Sequence, residues 1–224
     1  MRKLSLKFIA LDLDGTLIQS NRIKDKAFET ILGNWPEHKK TMLDWHRLKN
    51  NIDRHEKFRF FVEEILNEKG NNVLYENLAD KFSHLTLQAV IDCPWVEGAQ
   101  EFLNYFQGKL PIYLVSATPQ NELEKIIIGR HLGGVFKKVY GAPLNKACVL
   151  KRIISMEKGL PKNSIYIGDS PEDQEAANIL GVNFIGLDPD RRLKKTGEFI
   201  FSNFKYILEY IRENFELYRP IIFA

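Results

Sequence analysis

Short apolar runs that end in polar clusters recur along this chain, separated by stretches of helical periodicity. Phe8-Ile9-Ala10-Leu11 leads into Asp12-Leu13-Asp14-Gly15-Thr16, Ile112-Tyr113-Leu114-Val115 into Ser116-Ala117-Thr118, and Ile165-Tyr166-Ile167 into Gly168-Asp169-Ser170. Continuous apolar runs of this length read as strands buried on both faces. Further short strands are expected at residues 138–140 and 182–187, the latter followed by an Asp188-Pro189-Asp190 turn. Helical patterns occupy residues 99–106, 121–129, 147–158, 172–180 and 204–214. Thr118-Pro119 and Ser170-Pro171 each place an N-cap residue before a proline, and Gly181 follows Leu180 as a stop. Alternation of strand and helix predicts an α/β fold, a Rossmann-like parallel sheet with helices on both faces.

Residues 21–92 break the alternation. They read as helix after helix with no strand; Phe58, Phe61, Val62, Ile65 and Leu66 form an apolar face opposite Arg59, Glu63 and Glu64. The expected organisation is therefore a core of residues 1–20 and 93–224 interrupted by a small all-helical unit of residues 21–92, with Cys93-Pro94 as the return hinge. At 224 residues the chain has room for one core and a smaller accessory unit.

Composition narrows the function classes. The formal charge is +3, and the basic residues occur as pairs (Lys39-Lys40, Lys137-Lys138, Arg191-Arg192, Lys194-Lys195), not as the dense runs that bind nucleic acid. Cys93 and Cys148 fit neither a disulfide framework nor a zinc spacing. Lys7 and Asp12 interrupt the first apolar stretch, which excludes a secretory leader there, and no apolar run approaches the roughly 20 residues of a membrane helix. A cytoplasmic protein without membrane or nucleic-acid partners is expected. No phosphate-loop, dinucleotide or serine-elbow motif occurs, which argues against nucleotide-driven kinases, dinucleotide oxidoreductases and serine hydrolases.

The candidate chemistry sits at the strand ends, where open α/β sheets bind ligands. Asp12 and Asp14 are two residues apart, so extended backbone would turn both carboxylates to one side, and Gly15 permits a sharp turn after them. Two such carboxylates repel unless one is protonated or a cation lies between them. With Asp169 as a further oxygen ligand, magnesium suits the set.

Asp12-Leu13-Asp14-Gly15-Thr16 resembles the first signature of the haloacid dehalogenase superfamily in its phosphatase form. Ser116 resembles the second signature, Lys146 in Gly141-Ala142-Pro143-Leu144-Asn145-Lys146 the third, and Gly168-Asp169-Ser170-Pro171-Glu172-Asp173 the fourth, all in the family's order. The resemblance implies that Asp12 is a nucleophile forming an aspartyl-phosphate, that Asp14 is its acid/base partner, and that Asp12, the backbone carbonyl of Asp14 and Asp169 hold Mg2+. It implies that Ser116, with Ala117, and Lys146 bind the phosphoryl group, and that Asp173 orients magnesium-bound water. Asp173 also occupies a helix-capping position, three residues after Ser170, and Lys138 and Lys151 lie near Lys146 as competing lysines.

In that superfamily a helical insertion after the first signature is a cap that selects the substrate. Residues 21–92 fit that description and give the chain a resemblance to the phosphoglycolate-phosphatase-like branch. Arg54 and Lys57, three apart and so on one helix face, are candidate contacts to the substrate beyond its phosphate; the competing reading is a solvated helix surface. The function expected is magnesium-dependent hydrolysis of a small-molecule phosphate monoester. A phosphomutase acting on a sugar phosphate and a non-catalytic binding protein on the same fold are the alternatives.

Overall fold

The computed structural model describes residues 3–49, 52–188, 193 and 199–218. The Arg191-Arg192 and Lys194-Lys195 pairs, residues 189–190 of the expected turn and the apolar tail at 220–224 lie outside the described residues.

Two short strands open the chain, β1 (Leu4–Leu6) and β2 (Phe8–Leu11). The rest of the core comprises α5 (Ala99–Phe106), β3 (Ile112–Pro119), α6 (Gln120–Gly129), β4 (Lys138–Ala142), α7 (Lys146–Met156), β5 (Ser164–Gly168), α8 (Pro171–Leu180), β6 (Asn183–Leu187), β7 (Phe199–Phe201), α9 (Phe204–Asn214) and β8 (Phe215–Leu217). The main sheet is wholly parallel, in the order β4-β3-β2-β5-β6-β7, while β1 and β8 pair separately. The strands β1, β7 and β8, three residues each, carry too little apolar periodicity to be predicted.

Period-two alternation divides each central strand between two cores. Ile9, Leu11, Ile112, Leu114, Ile165 and Ile167 face one apolar cluster, completed by Phe102 and Phe106 of α5 and Phe204 and Ile207 of α9. Phe8, Ala10, Tyr113, Val115 and Tyr166 face the other, closed by Val149 and Ile153 of α7 and Ala176 and Ala177 of α8. Burial on both faces is what makes these strands continuous apolar runs. Because the sheet is parallel, the polar clusters at the carboxyl ends of β2, β3 and β5 all emerge at one edge. The chain leaves β2 for β3 on one side and pairs with β5 on the other, so the crevice opens at the switch point of the topology.

Between β2 and α5 run four helices, α1 (Asn21–Ile31), α2 (Pro36–Leu48), α3 (Arg54–Phe60) and α4 (Asn72–Asp92), around a third apolar cluster of their own. They form the helical cap. The periodic face from Phe58 to Leu66 is not one continuous helix: after Phe60 the chain widens, and Leu66 N–H donates to Phe61 O five residues back. The two crossings between cap and core lie side by side, with Gln19 N–H donating to Pro94 O at 2.9 Å and Val96 N–H to Leu17 O at 3.0 Å. Cys93 is extended, as the residue before a proline prefers. Arg130 holds this junction by donating to the carbonyls of Val90, Ile91 and Cys93 at the end of α4.

The expected cap at Thr118-Pro119 needs correction. Both residues belong to β3, α6 starts at Gln120, and no side chain caps it, because the Thr118 hydroxyl is drawn instead to Asp14. Ser170 does cap α8 in a reciprocal box with Asp173, and Gly181 ends that helix in the left-handed conformation.

Phe58 is fully buried in the cap and stacks on Phe28 with ring centroids 5.0 Å apart. Phe58→Ala is expected to destabilise the cap by about 3–5 kcal/mol, seen as a lower urea midpoint in tryptophan fluorescence. An unchanged midpoint would contradict the packing described.

Candidate active site

Asp12 follows β2 directly and continues its ladder, its N–H donating to Ile167 O at 2.9 Å. This places its carboxylate beside those at the end of β5. Ligand atoms of Asp12, Asp169 and Asp173, all buried, lie within 4.8 Å of one another. Gly15, at φ +76°, lets the chain turn away, and a Cβ there would overlap the Asp169 carboxylate and Asn21. Gly168 is needed for a different reason, since a Cβ at that position would collide with Asp173.

Lys146, the first residue of α7, reaches into this cluster. Its ammonium lies 2.6 Å from Asp173 Oδ1 and 3.2 Å from Asp12 Oδ1. Lys138 and Lys151, the competing lysines, are exposed. The contact to Asp12 has ion-pair distance but not hydrogen-bond geometry, so Asp12 Oδ1 is a buried oxygen without a hydrogen-bond donor. Asp173 is the opposite case: Lys146 and Tyr166 donate to its Oδ1 and the Ser170 hydroxyl to its Oδ2. Asp169 accepts from Thr16 at 3.2 Å and from Asn21 at 3.1 Å.

Burial pushes the Asp12 carboxyl well above the usual carboxylate range; Lys146 opposes this, and Asp173, Asp169 and Asp14 reinforce it. Burial works against the Lys146 ammonium, yet Asp12 and Asp173 outweigh it and hold that group charged. The donor set fits magnesium: hard oxygen atoms, close enough to share one ion, and one buried oxygen that no donor satisfies.

Asp14 lies in different company. Burial would raise its carboxyl, but the charge and hydrogen bond of Lys24 and the hydroxyls of Ser20 and Thr118 hold it below its usual value. Ser20 donates at 2.6 Å and Thr118 at 2.9 Å, and Lys24, on cap helix α1, forms an ion pair with the same carboxylate. Ser116 is buried beneath this group, its hydroxyl 3.5 Å from Asp14 and accepting from Thr118 N–H at 3.0 Å. Ala117 and Thr118, and not Ser116, line the open space.

That space is a cavity of about 420 Å³ between core and cap, lined by Asp12, Asp14, Lys146 and Asp169 on one side and by α1, α3 and α4 on the other. Both Arg54 and Lys57 are buried in its wall, at 7% and 4% exposure, so the solvated-surface reading of these residues is corrected. Arg54 is tied to Ser83 and forms an ion pair with Glu122 of core helix α6. Lys57 contacts His46 Nδ1 at 3.0 Å, and His46 Nε2 lies 3.1 Å from Asp25. Burial pulls the Lys57 ammonium down to about 7, with Lys24 adding repulsion and Asp25, Glu172 and Asp53 opposing it.

Lys24, Asp25 and Glu122 are not among the residues expected from the sequence, and Thr118 is expected there only as a helix cap. A signal existed for part of this group: Asn21, Lys24, Asp25 and Phe28 fall at i, i+3, i+4 and i+7 of α1, a mixed polar stripe where a cap helix buried only in its own core would be apolar. Nothing local marks Glu122 or the turn of the Thr118 hydroxyl to Asp14, because these partners are distant in the chain.

Residues 9–187 match the family model described as haloacid dehalogenase-like hydrolase. Comparison with curated protein sequences returned no match. Solved structures share the fold. A predicted phosphoglycolate phosphatase from Haemophilus somnus 129PT aligns over 92% of this chain and 97% of its own, at a TM-score of 0.71 and 16% identity. YfnB from Bacillus subtilis, bound to magnesium, aligns over 92% and 99%, at 0.69 and 13% identity. A variant of CbbY from Rhodobacter sphaeroides in complex with xylulose-(1,5)bisphosphate aligns over 89% and 95%, also at 0.69 and 13% identity.

The depressed Lys57 titration predicts a pH signature. Unfolded lysine titrates near ~10.4, so between pH 7 and that value the unfolded chain binds more protons at this position and Lys57 becomes less costly as pH rises. Lys57→Met is therefore expected to stabilise the protein most near pH 7, with the gain shrinking towards pH 10. Parallel urea-stability profiles of the two proteins over this range would contradict the shift.

Proposed function

Because the chain belongs to the haloacid dehalogenase-like hydrolase family, we propose that it is a magnesium-dependent phosphatase that cleaves small-molecule phosphate monoesters through Asp12. The observation that carries this reading is the division of the two aspartates. Asp12 presents a buried oxygen without a donor beside Asp169 and Lys146, whereas Asp14 is held apart by Lys24, Ser20 and Thr118. One environment suits a nucleophile and cation ligand; the other suits a group that moves protons.

In the first displacement, an Asp12 carboxylate oxygen forms a bond to phosphorus as the ester P–O bond breaks, and the departing oxygen takes a proton from Asp14. In the second, water attacks phosphorus, Asp14 accepts its proton, and the Asp12 carboxylate is released with inorganic phosphate. Lys24 holds Asp14 in the ionised form needed for the second step; a bound phosphate dianion nearby favours the protonated form needed for the first. Lys146 neutralises charge on Asp12 and on the transferring group, and β3 supplies a donor to the phosphoryl oxygens from the backbone at Ala117, with Ser116 buried beneath it and holding Thr118 N–H. The side chains of Asp12 and Asp169, with the Asp14 carbonyl, would hold Mg2+, which supplies positive charge to the reacting oxygens. Asp173, already saturated by Lys146, Tyr166 and Ser170, positions Lys146.

Residues 21–92 act as the cap and residues 1–20 with 93–224 as the catalytic core. The adjacent crossings at Leu17–Gln19 and Pro94–Val96 form a compact pivot for access to the cavity. Support for a phosphorylated small molecule comes from the cavity's size and from the bisphosphate carried by the CbbY variant.

A panel of phosphate monoesters that includes an aryl phosphate is expected to release one phosphate per ester consumed, only with magnesium present. No release from any ester would overturn the reading, and ester loss without phosphate release would favour a mutase. Asp12→Asn is expected to abolish turnover and the phosphoenzyme. Asp14→Asn is expected to lower turnover by roughly 10²–10⁴-fold while phosphoenzyme accumulates from the activated aryl ester, seen by acid quench.

A further inference from the structure

Five basic side chains line the cavity, and four have a carboxylate partner: Lys24 has Asp14, Arg47 has Glu29, Arg54 has Glu122, and Lys146 has Asp12 and Asp173. Lys57 is the exception among the described residues. Its hydrogen bond is to a neutral ring nitrogen, His46 Nδ1, and its other neighbour is the face of Phe28, 5.7 Å from the ammonium. An ammonium has three N–H donors, so a cation that is only 4% exposed and lines the cavity has one hydrogen bond and, among the described residues, no carboxylate within ion-pair distance, the charges of Asp25, Glu172 and Asp53 reaching it only from farther off. Such burial is unfavourable unless something completes it.

The surroundings hold this ammonium in place. A charged lysine can only donate, so beside the ammonium Nδ1 of His46 accepts and the ring proton sits on Nε2, donating to Asp25 at 3.1 Å. Burial lowers the His46 titration and keeps the ring in this neutral form, despite the raising effect of Asp25. His46 also packs against Phe28 at a tilt of 33°, centroids 4.0 Å apart, and is 4% exposed. The chain Asp25–His46–Lys57 thus fixes the direction of one cation. All its members belong to the cap, on α1, α2 and α3, while the groups around Asp12 belong to the core or, in Lys24, are already occupied.

We infer that Lys57, oriented by His46 and Asp25, is a subsite for a second anionic group of the substrate, a carboxylate or a phosphate carried at the end remote from the scissile ester. The inference rests on the phosphatase reading and deepens it: the substrate class becomes phosphate esters with a distal anion. Arg54, whose position suggested the same task, serves as the tie between cap and core through Glu122. The arrival of an anion would also restore the proton that burial tends to remove from Lys57. Lys57 is a binding residue here, and His46 and Asp25 are positioning residues.

Non-hydrolysable ligands test this without relying on turnover. The magnesium-loaded protein is titrated calorimetrically with 3-phosphonopropanoate, propane-1,3-diphosphonate and, as the neutral-tailed control, propylphosphonate. At least one anionic-tailed ligand is expected to bind roughly tenfold or more tightly than the control, equivalent to about 1.4 kcal/mol, and which one does so identifies carboxylate or phosphate. Lys57→Met is expected to remove the preference. His46→Leu, which takes away the acceptor, is expected to weaken it, and His46→Asn, which restores an acceptor near Nδ1, to recover most of it. Equal binding of all three ligands, or a preference that survives Lys57→Met, overturns the subsite. Should the ligands discriminate while no ester is hydrolysed, the phosphatase reading fails and the anion subsite stands.

Discussion

Bringing Asp12, Asp14, Asp169 and Asp173 to one end of a parallel sheet is unfavourable unless positive charge and hydrogen-bond donors accompany them. Much of the molecule can be understood as the supply of that compensation. Lys146 is delivered by the first turn of α7, with Asn145 capping the helix through Cys148 N–H. Tyr166 reaches Asp173 from β5, and Ser170 closes the same carboxylate by starting α8. The glycines at 15 and 168 remove the side chains that would keep these groups apart. What remains is one buried oxygen of Asp12 that has the charge of Lys146 at 3.2 Å but no hydrogen-bond donor.

The helical cap is part of the same electrostatic arrangement. Lys24 crosses from α1 to Asp14, and Arg54 crosses from α3 to Glu122. Both pairs are largely shielded from water, so they differ from exposed ion pairs, which contribute little. Their formation depends on the cap lying against the core. Lys24 reaches Asp14 from α1, so the proton affinity of that carboxylate depends on the cap lying against the core. Lys57 belongs to a different balance, since its orientation is settled inside the cap by His46 and Asp25 and no carboxylate among the described residues lies within ion-pair distance of it.

The strands at Phe8, Ile112 and Ile165 were legible because burial on both faces leaves unbroken apolar runs, and the helices because each packs a single face. Asp12, Asp14 and Asp169 were legible as a group for a related reason: a polar cluster directly after a buried strand has to emerge at the sheet's carboxyl edge. Thr118 was misread as a helix cap because Thr-Pro carries the same local signal whether the hydroxyl turns to the following helix or to a distant acceptor. The choice is made by Asp14, 104 residues earlier in the chain. Arg54 and Lys57 illustrate the same limit, as a helix face rich in charge looks solvated until another layer covers it.

Local order was thus determined by sequence alone: a parallel α/β core, a helical insertion after the first strand, and acidic motifs at the strand ends. Those features depend on periodicity and on neighbours a few residues apart, which any window of the chain contains. Only the tertiary structure decided which charges neutralise which, placing Lys24 on Asp14, Arg54 on Glu122 and Lys146 between Asp12 and Asp173. The physical reason is that electrostatic compensation acts over a few ångströms in space: Lys146, Asp12 and Asp173 meet only when the sheet has brought their elements together, and Lys24 and Arg54 reach their partners only when the cap lies against the core.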